Sequence, residues 1–170
     1  AQGRVSLPGF YDMVQPLDEE ERELLKQVPY SDAQWRELCG SEALFGEEGF
    51  TAIERIGARP TLELNGIVGG FIGEGAKTVL PARASAKLSA RLVADQKGEE
   101  VEKQLRQYFK AHVPEGVKWQ LHTHSMGAGS TMNRKSPYMQ SAAAALTEVF
   151  GKAPIFKREG GSIPVVALLQ

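Results

Sequence analysis

Pro81-Ala82-Arg83-Ala84-Ser85-Ala86-Lys87-Leu88-Ser89-Ala90-Arg91-Leu92 alternates without a break. Ala82, Ala84, Ala86, Leu88, Ala90 and Leu92 fall on one face, and Arg83, Ser85, Lys87, Ser89 and Arg91 on the other. A period of two is the signature of a β-strand with one apolar face, so this stretch sets the fold class. Working back, Thr61-Leu62-Glu63-Leu64-Asn65 alternates in the same way, and a loop carrying Gly66, Gly69, Gly70, Gly73 and Gly75 joins the two. Working forward, Val101, Leu105 and Phe109 recur four apart over Gly98 to Val113. Glu99 and Glu100 stand in the first turn, where the helix dipole favours them. Pro114-Glu115-Gly116 is a turn, and Val117, Trp119, Leu121 and Thr123 then alternate with Lys118, Gln120, His122 and His124 as a third strand. Ser136-Pro137 opens a second helix running to Phe150, with Gly151 to close it. A last strand is expected over Ile155 to Arg158. From Pro60 the order strand, strand, helix, strand, helix, strand implies an α+β fold, an antiparallel sheet with helices packed on one face.

The region before Pro60 is of another kind. Asp18 with Glu21, Ser31 with Gln34 and Thr51 with Glu54 each match the capping box that starts a helix. The helices they start are short and are interrupted by Gly40, Gly46, Gly49 and Gly57. No catalytic pattern occurs here, and a structural insertion or connector is expected.

Composition bounds the function. The 170 residues carry 20 Lys+Arg against 21 Asp+Glu, a net charge of -1 that gives no field for holding nucleic acid or an anionic membrane. Apolar residues make up 42%, enough for a core. The apolar run Ile163 to Leu169 falls far short of the roughly 20 residues that span a bilayer. Because the chain stops inside that run, it is expected to be a fragment. Cys39 is the single cysteine, which excludes an intrachain disulfide and points to a reducing, cytoplasmic setting.

Several stretches imitate catalytic motifs. Gly70 to Thr78 approaches a phosphate loop, but Ala76 separates the last glycine from Lys77, and a strand rather than a helix follows. His122-Thr123-His124 has a spacing that chelates zinc only with further ligands, and a polar strand face explains it. His112 suits the end of its helix. Glu19-Glu20, Glu47-Glu48 and Glu99-Glu100 lack His or Asp partners and read as solvated. Ser162 follows two glycines, without the elbow of a serine nucleophile. What is left are binding groups: Lys77-Thr78 on a glycine-rich loop, Arg91 on the polar face of a strand and Ser162 in a glycine turn.

Four blocks in order resemble a known family: Asn65-Gly66-Ile67, Gly73-Glu74-Gly75-Ala76-Lys77-Thr78-Val79-Leu80-Pro81, Ser89-Ala90-Arg91-Leu92-Val93, and Arg158-Glu159-Gly160-Gly161-Ser162-Ile163-Pro164. The chain resembles the two-metal peptidases related to carnosine dipeptidase, aminoacylase and carboxypeptidase G, in the branch of the cytosolic nonspecific dipeptidases. The resemblance covers Pro60 to Gln170, and the earlier residues match only as the connector before it.

The resemblance implies a catalytic domain with two zinc or manganese ions and a smaller lid of a four-stranded sheet and two helices, which forms a homodimer. It implies that Thr78 reaches short peptide substrate in the partner subunit's site, that Arg91 grips the substrate carboxylate, and that Ser162 contacts substrate within its own catalytic domain. The family's metal ligands are not found in these residues, and the lid's histidine strand is expected before residue 1. His124 lies near a family His-Gly stretch but departs from it. The expected organisation is a helical insertion or connector over 1–59, part of the lid and dimerisation domain over 60–130, and a return into the catalytic domain over 131–170. The expected function is that of a lid and dimerisation fragment of a metal-dependent dipeptidase, itself inactive and metal-free. The alternatives are a stand-alone α+β binding or oligomerisation module, and a small enzyme using His122 and His124 with a metal.

Overall fold

A computed structural model of the chain describes residues 3–159. It is an α+β fold with the order α1 (Glu19–Leu25), α2 (Asp32–Cys39), α3 (Ala52–Ala58), β1 (Thr61–Gly69), β2 (Ala84–Arg91), α4 (Gly98–His112) and α5 (Pro137–Phe150). The chain divides into two compact units: Thr61–Arg91, and the residues up to Pro60 together with those from Leu92 onward.

In the larger unit the helix starts are local chemistry. Asp18, Ser31 and Thr51 each accept from the backbone N–H three residues on, and Glu21, Gln34 and Glu54 each return a bond to the cap. Both halves of each box are present, so two otherwise orphaned donors are satisfied per helix. The first residue of α2 extends the scheme, since Asp32 Oδ1 accepts from Ala52 N–H of α3 at 2.9 Å. Ser136 caps α5, and Gly151 ends it in the left-handed conformation at φ 67°.

The core of this unit gathers Leu7, Phe10, Leu25, Ala52, Ile53, Ala58, Val93 and Val101. Gln96 is buried among them with its amide satisfied, donating to Phe10 O at 2.6 Å and accepting from Val93 N–H at 3.0 Å. Glu47 departs from the solvated reading: it is 7% exposed and takes both Arg59 Nε at 2.6 Å and Nη2 at 2.8 Å. The Arg59 guanidinium in turn lies 4.9 Å from the Tyr11 ring centroid and 4.5 Å from that of Phe50. A buried carboxylate is tolerated here because it is paired bidentately.

The smaller unit is one antiparallel pair, β1 with β2. Its register runs from Thr61↔Arg91 to Gly69↔Ala84, with a bulge at Asn65 between Leu64↔Leu88 and Gly66↔Lys87. The bulge has a clear purpose. Leu64 and Ile67 are three apart and would fall on opposite faces of a regular strand, whereas one extra residue returns them to the same face. The apolar stripe is therefore Leu62, Leu64 and Ile67 opposite Ala90, Leu88 and Ala86.

The third and fourth expected strands do not form. Residues 117–130 and 153–159 belong to no ladder. Alternation specifies an extended chain but supplies no partner, and a strand exists only in a ladder. Residues 117–124 are instead held by α4, where Trp119 packs on Phe109 with ring centroids 5.8 Å apart and Arg106 Nη2 donates to Leu121 O at 3.0 Å.

Candidate substrate-binding residues and family

Arg91 ends β2 opposite Thr61, on the face shared by Glu63, Lys87 and Ser89. It is exposed, and among the described residues no carboxylate pairs with it. A guanidinium so placed keeps two parallel N–H donors free for a carboxylate.

Thr78 lies in the loop that joins the other end of the ladder, also exposed. That loop has internal order. The Phe71 ring folds back over Gly73, where a Cβ would stand 2.6 Å from its Cζ, and the Lys77 ammonium sits 5.3 Å from the ring centroid. Gly70 at φ 80° and Gly75 at φ 84° make the turns on either side. Thr78 and Arg91 are thus attached to opposite ends of the hairpin. Seven steps of strand at about 3.3 Å each make the ends roughly 23 Å apart. Ser162 and the apolar run Ile163 to Leu169 lie outside the described residues.

His122 and His124 are exposed on the extended segment after α4, and His122 Nε2 faces Gln120 Oε1 at 3.3 Å. Among the described residues no group of three or more His, Cys, Asp or Glu side chains is placed to hold a metal ion. His112 closes α4 as the sequence suggests, its Nδ1 2.8 Å from Tyr108 O and its ring stacked on Tyr108. No helix among the described residues is long and apolar enough to cross a membrane.

One ionic cluster was invisible to motif reading. Glu21 Oε1 and Oε2 accept from Arg158 Nε and Nη2, both at 2.8 Å, and Arg158 also donates to the carbonyls of Gln15 at 3.0 Å and Pro16 at 3.2 Å. Arg134 lies alongside, with Asp18 at 3.1 Å and Glu20 at 2.8 Å. The Arg134 and Lys135 hydrogen bonds hold the Glu20 carboxyl below its ordinary range, and the Glu21 backbone N–H, then Arg134, does the same for Asp18. Such pairs have no local sequence signal, because the partners are more than 100 residues apart.

Among solved structures the fold is that of metallopeptidases. It superposes on human carnosine dipeptidase 1 with TM-score 0.77 and 28% identity, over all of this chain and 37% of that one. It matches an M20 family metallo-carboxypeptidase of Sulfolobus solfataricus with TM-score 0.77 and 28% identity, over 96% of this chain and 37% of that one. The chain belongs to the peptidase dimerisation domain family, whose model matches residues 12–117. A curated relative, the Cys-Gly metallodipeptidase of Candida albicans, is 32% identical over 99% of this chain and 35% of its own length. The chain therefore spans about a third of the length of that relative.

Proposed function

We propose that the chain is the lid and dimerisation portion of a longer metal-dependent dipeptidase, one that hydrolyses short peptides with a free C-terminal carboxylate. The match to a metallodipeptidase over 99% of the chain carries this reading. In the proposed organisation residues 1–59 are a connector, 60–130 belong to the lid and 131–170 lead back to the catalytic domain. Two divalent ions, zinc or manganese, would supply the Lewis acid and the activated water. The ligands for these ions are assigned to the rest of the protein, and this stretch alone is expected to be inactive.

The role of this stretch is recognition. Arg91 is proposed to grip the substrate carboxylate, Thr78 to contact substrate and Ser162 to complete the contacts. A dipeptide is far shorter than the roughly 23 Å between the hairpin ends. That length supports a homodimer in which Arg91 of one protomer and Thr78 of its partner serve the same site. The exposed, unpaired Cys39 supports a reducing cytoplasmic setting.

The test is hydrolysis of a free dipeptide and its C-terminal amide by the longer protein loaded with zinc or manganese. The free dipeptide is expected to be cleaved, and Arg91→Ala is expected to cost about 2–4 kcal/mol in kcat/KM for it. Absence of hydrolysis, or an Arg91→Ala protein with unchanged kinetics, contradicts the reading.

A further inference from the structure

We propose that Asn65 is a further substrate-binding residue, one that donates its side-chain amide to the peptide carbonyl of a substrate whose carboxylate lies on Arg91. The inference rests on the substrate reading of Arg91 above. Asn65 is the extra residue of the β1 bulge, and its Oδ1 accepts from Ser89 Oγ at 3.0 Å. That bond places the amide on the polar face that Ser89 shares with Arg91. It also engages the acceptor end of the amide, and among the described residues no side chain or carbonyl takes its two N–H donors. Asn65 is exposed, so those donors are open to a ligand.

The space beside the amide is also free. Gly66, the next residue, stands opposite Lys87, and a Cβ on it would meet no neighbouring group within 4 Å. The bulge thus offers a fixed donor and, next to it, a bare stretch of backbone. Ser89 and Arg91 are two steps apart on β2, about 7 Å. The Arg91 fork suits a carboxylate, whereas a neutral amide suits a neutral carbonyl. In an extended dipeptide those two acceptors are one residue apart, about 3.5 Å along the chain. With a hydrogen bond of about 2.9 Å at each end, the two side chains can converge on acceptors at that separation. The pair therefore measures the distance from carboxylate to peptide carbonyl, and it selects a C-terminal α-amino acid over a longer β-amino acid.

In the longer protein, kcat/KM is measured for alanyl-alanine and for alanyl-β-alanine, which has one more methylene between its carboxylate and its peptide nitrogen. Wild type is expected to favour alanyl-alanine. Asn65→Ala is expected to lower kcat/KM for alanyl-alanine by about three- to tenfold, as loss of one hydrogen bond requires, and to leave alanyl-β-alanine within about twofold. A merely structural role would lower both alike. Equal losses for the two substrates, no loss for either, or a wild type without the preference overturns the proposal and leaves the substrate reading intact. If wild type cleaves no dipeptide, or Arg91→Ala keeps full kcat/KM, the substrate reading fails and the proposal falls with it. Should Asn65→Ala not fold, Ser89→Ala takes its place, because it frees the amide to turn away. A smaller loss confined to alanyl-alanine is then expected, and an unchanged ratio of the two substrates overturns the proposal.

Discussion

Glu21 and Arg158, 137 residues apart in sequence, form a two-point ion pair with both N–O distances at 2.8 Å. The pair ties the first turn of α1 to the segment that follows α5, so one carboxylate serves a local cap and a long-range tie together. From the other side Gly57 leaves room for the same backbone.

Gly57→Ala tests that close approach. Alanine normally gains about 1 kcal/mol over glycine inside a helix. Here its methyl would meet the Arg158 carbonyl, a backbone atom that cannot swing away. The variant is expected to be destabilised by about 1–3 kcal/mol in urea unfolding, as overpacking requires. A more stable variant would show that the segment at Arg158 is not packed on α3.

Glu47→Ala should be among the most damaging single changes outside the apolar core. It strips Arg59, only 12% exposed at its side chain, of its anion while the cation stays packed between Tyr11 and Phe50. Removing one partner of a buried pair costs about 3–5 kcal/mol, read as a shift in the urea midpoint. A loss below about 1 kcal/mol, the worth of an exposed pair, would contradict its burial.

Much of this could be read in the sequence, where the determining contacts are local. The boxes at Asp18, Ser31 and Thr51 and the cap at Ser136 each close within four residues, and all formed as expected. Alternation likewise revealed β1 and β2. It failed for residues 117–124, because pairing depends on a partner that periodicity cannot name, and Arg106 took the Leu121 carbonyl instead. It was silent on the bulge at Asn65, on Glu47 with Arg59 and on Glu21 with Arg158, all set by tertiary packing. Thr78, Arg91 and Ser162 stood out as binding groups, but only the family resemblance gave them roles.

Acid should loosen the Arg134 cluster. Asp18 and Glu20 titrate below their ordinary values in the folded chain, so the unfolded chain takes up their protons first. Their stabilisation is complete above the ordinary carboxylate range and is lost as pH falls through it. The urea midpoint should therefore drop between about pH 6 and pH 3. Arg134→Gln should make that drop shallower, and high salt should weaken it, since both carboxylates are exposed. An identical pH dependence in Arg134→Gln would contradict the assignment.

The division of one substrate site between Arg91 of one protomer and Thr78 of the other is tested most directly by mixing. Thr78→Ala and Arg91→Ala forms of the longer protein are each expected to be nearly inactive. Random exchange of subunits makes half of the dimers mixed, and each mixed dimer regains one site with both residues intact. Dipeptide hydrolysis should then recover to about a quarter of wild type. A fully exchanged mixture no more active than its parents would mean that both residues serve the same chain's site, contrary to the proposed split.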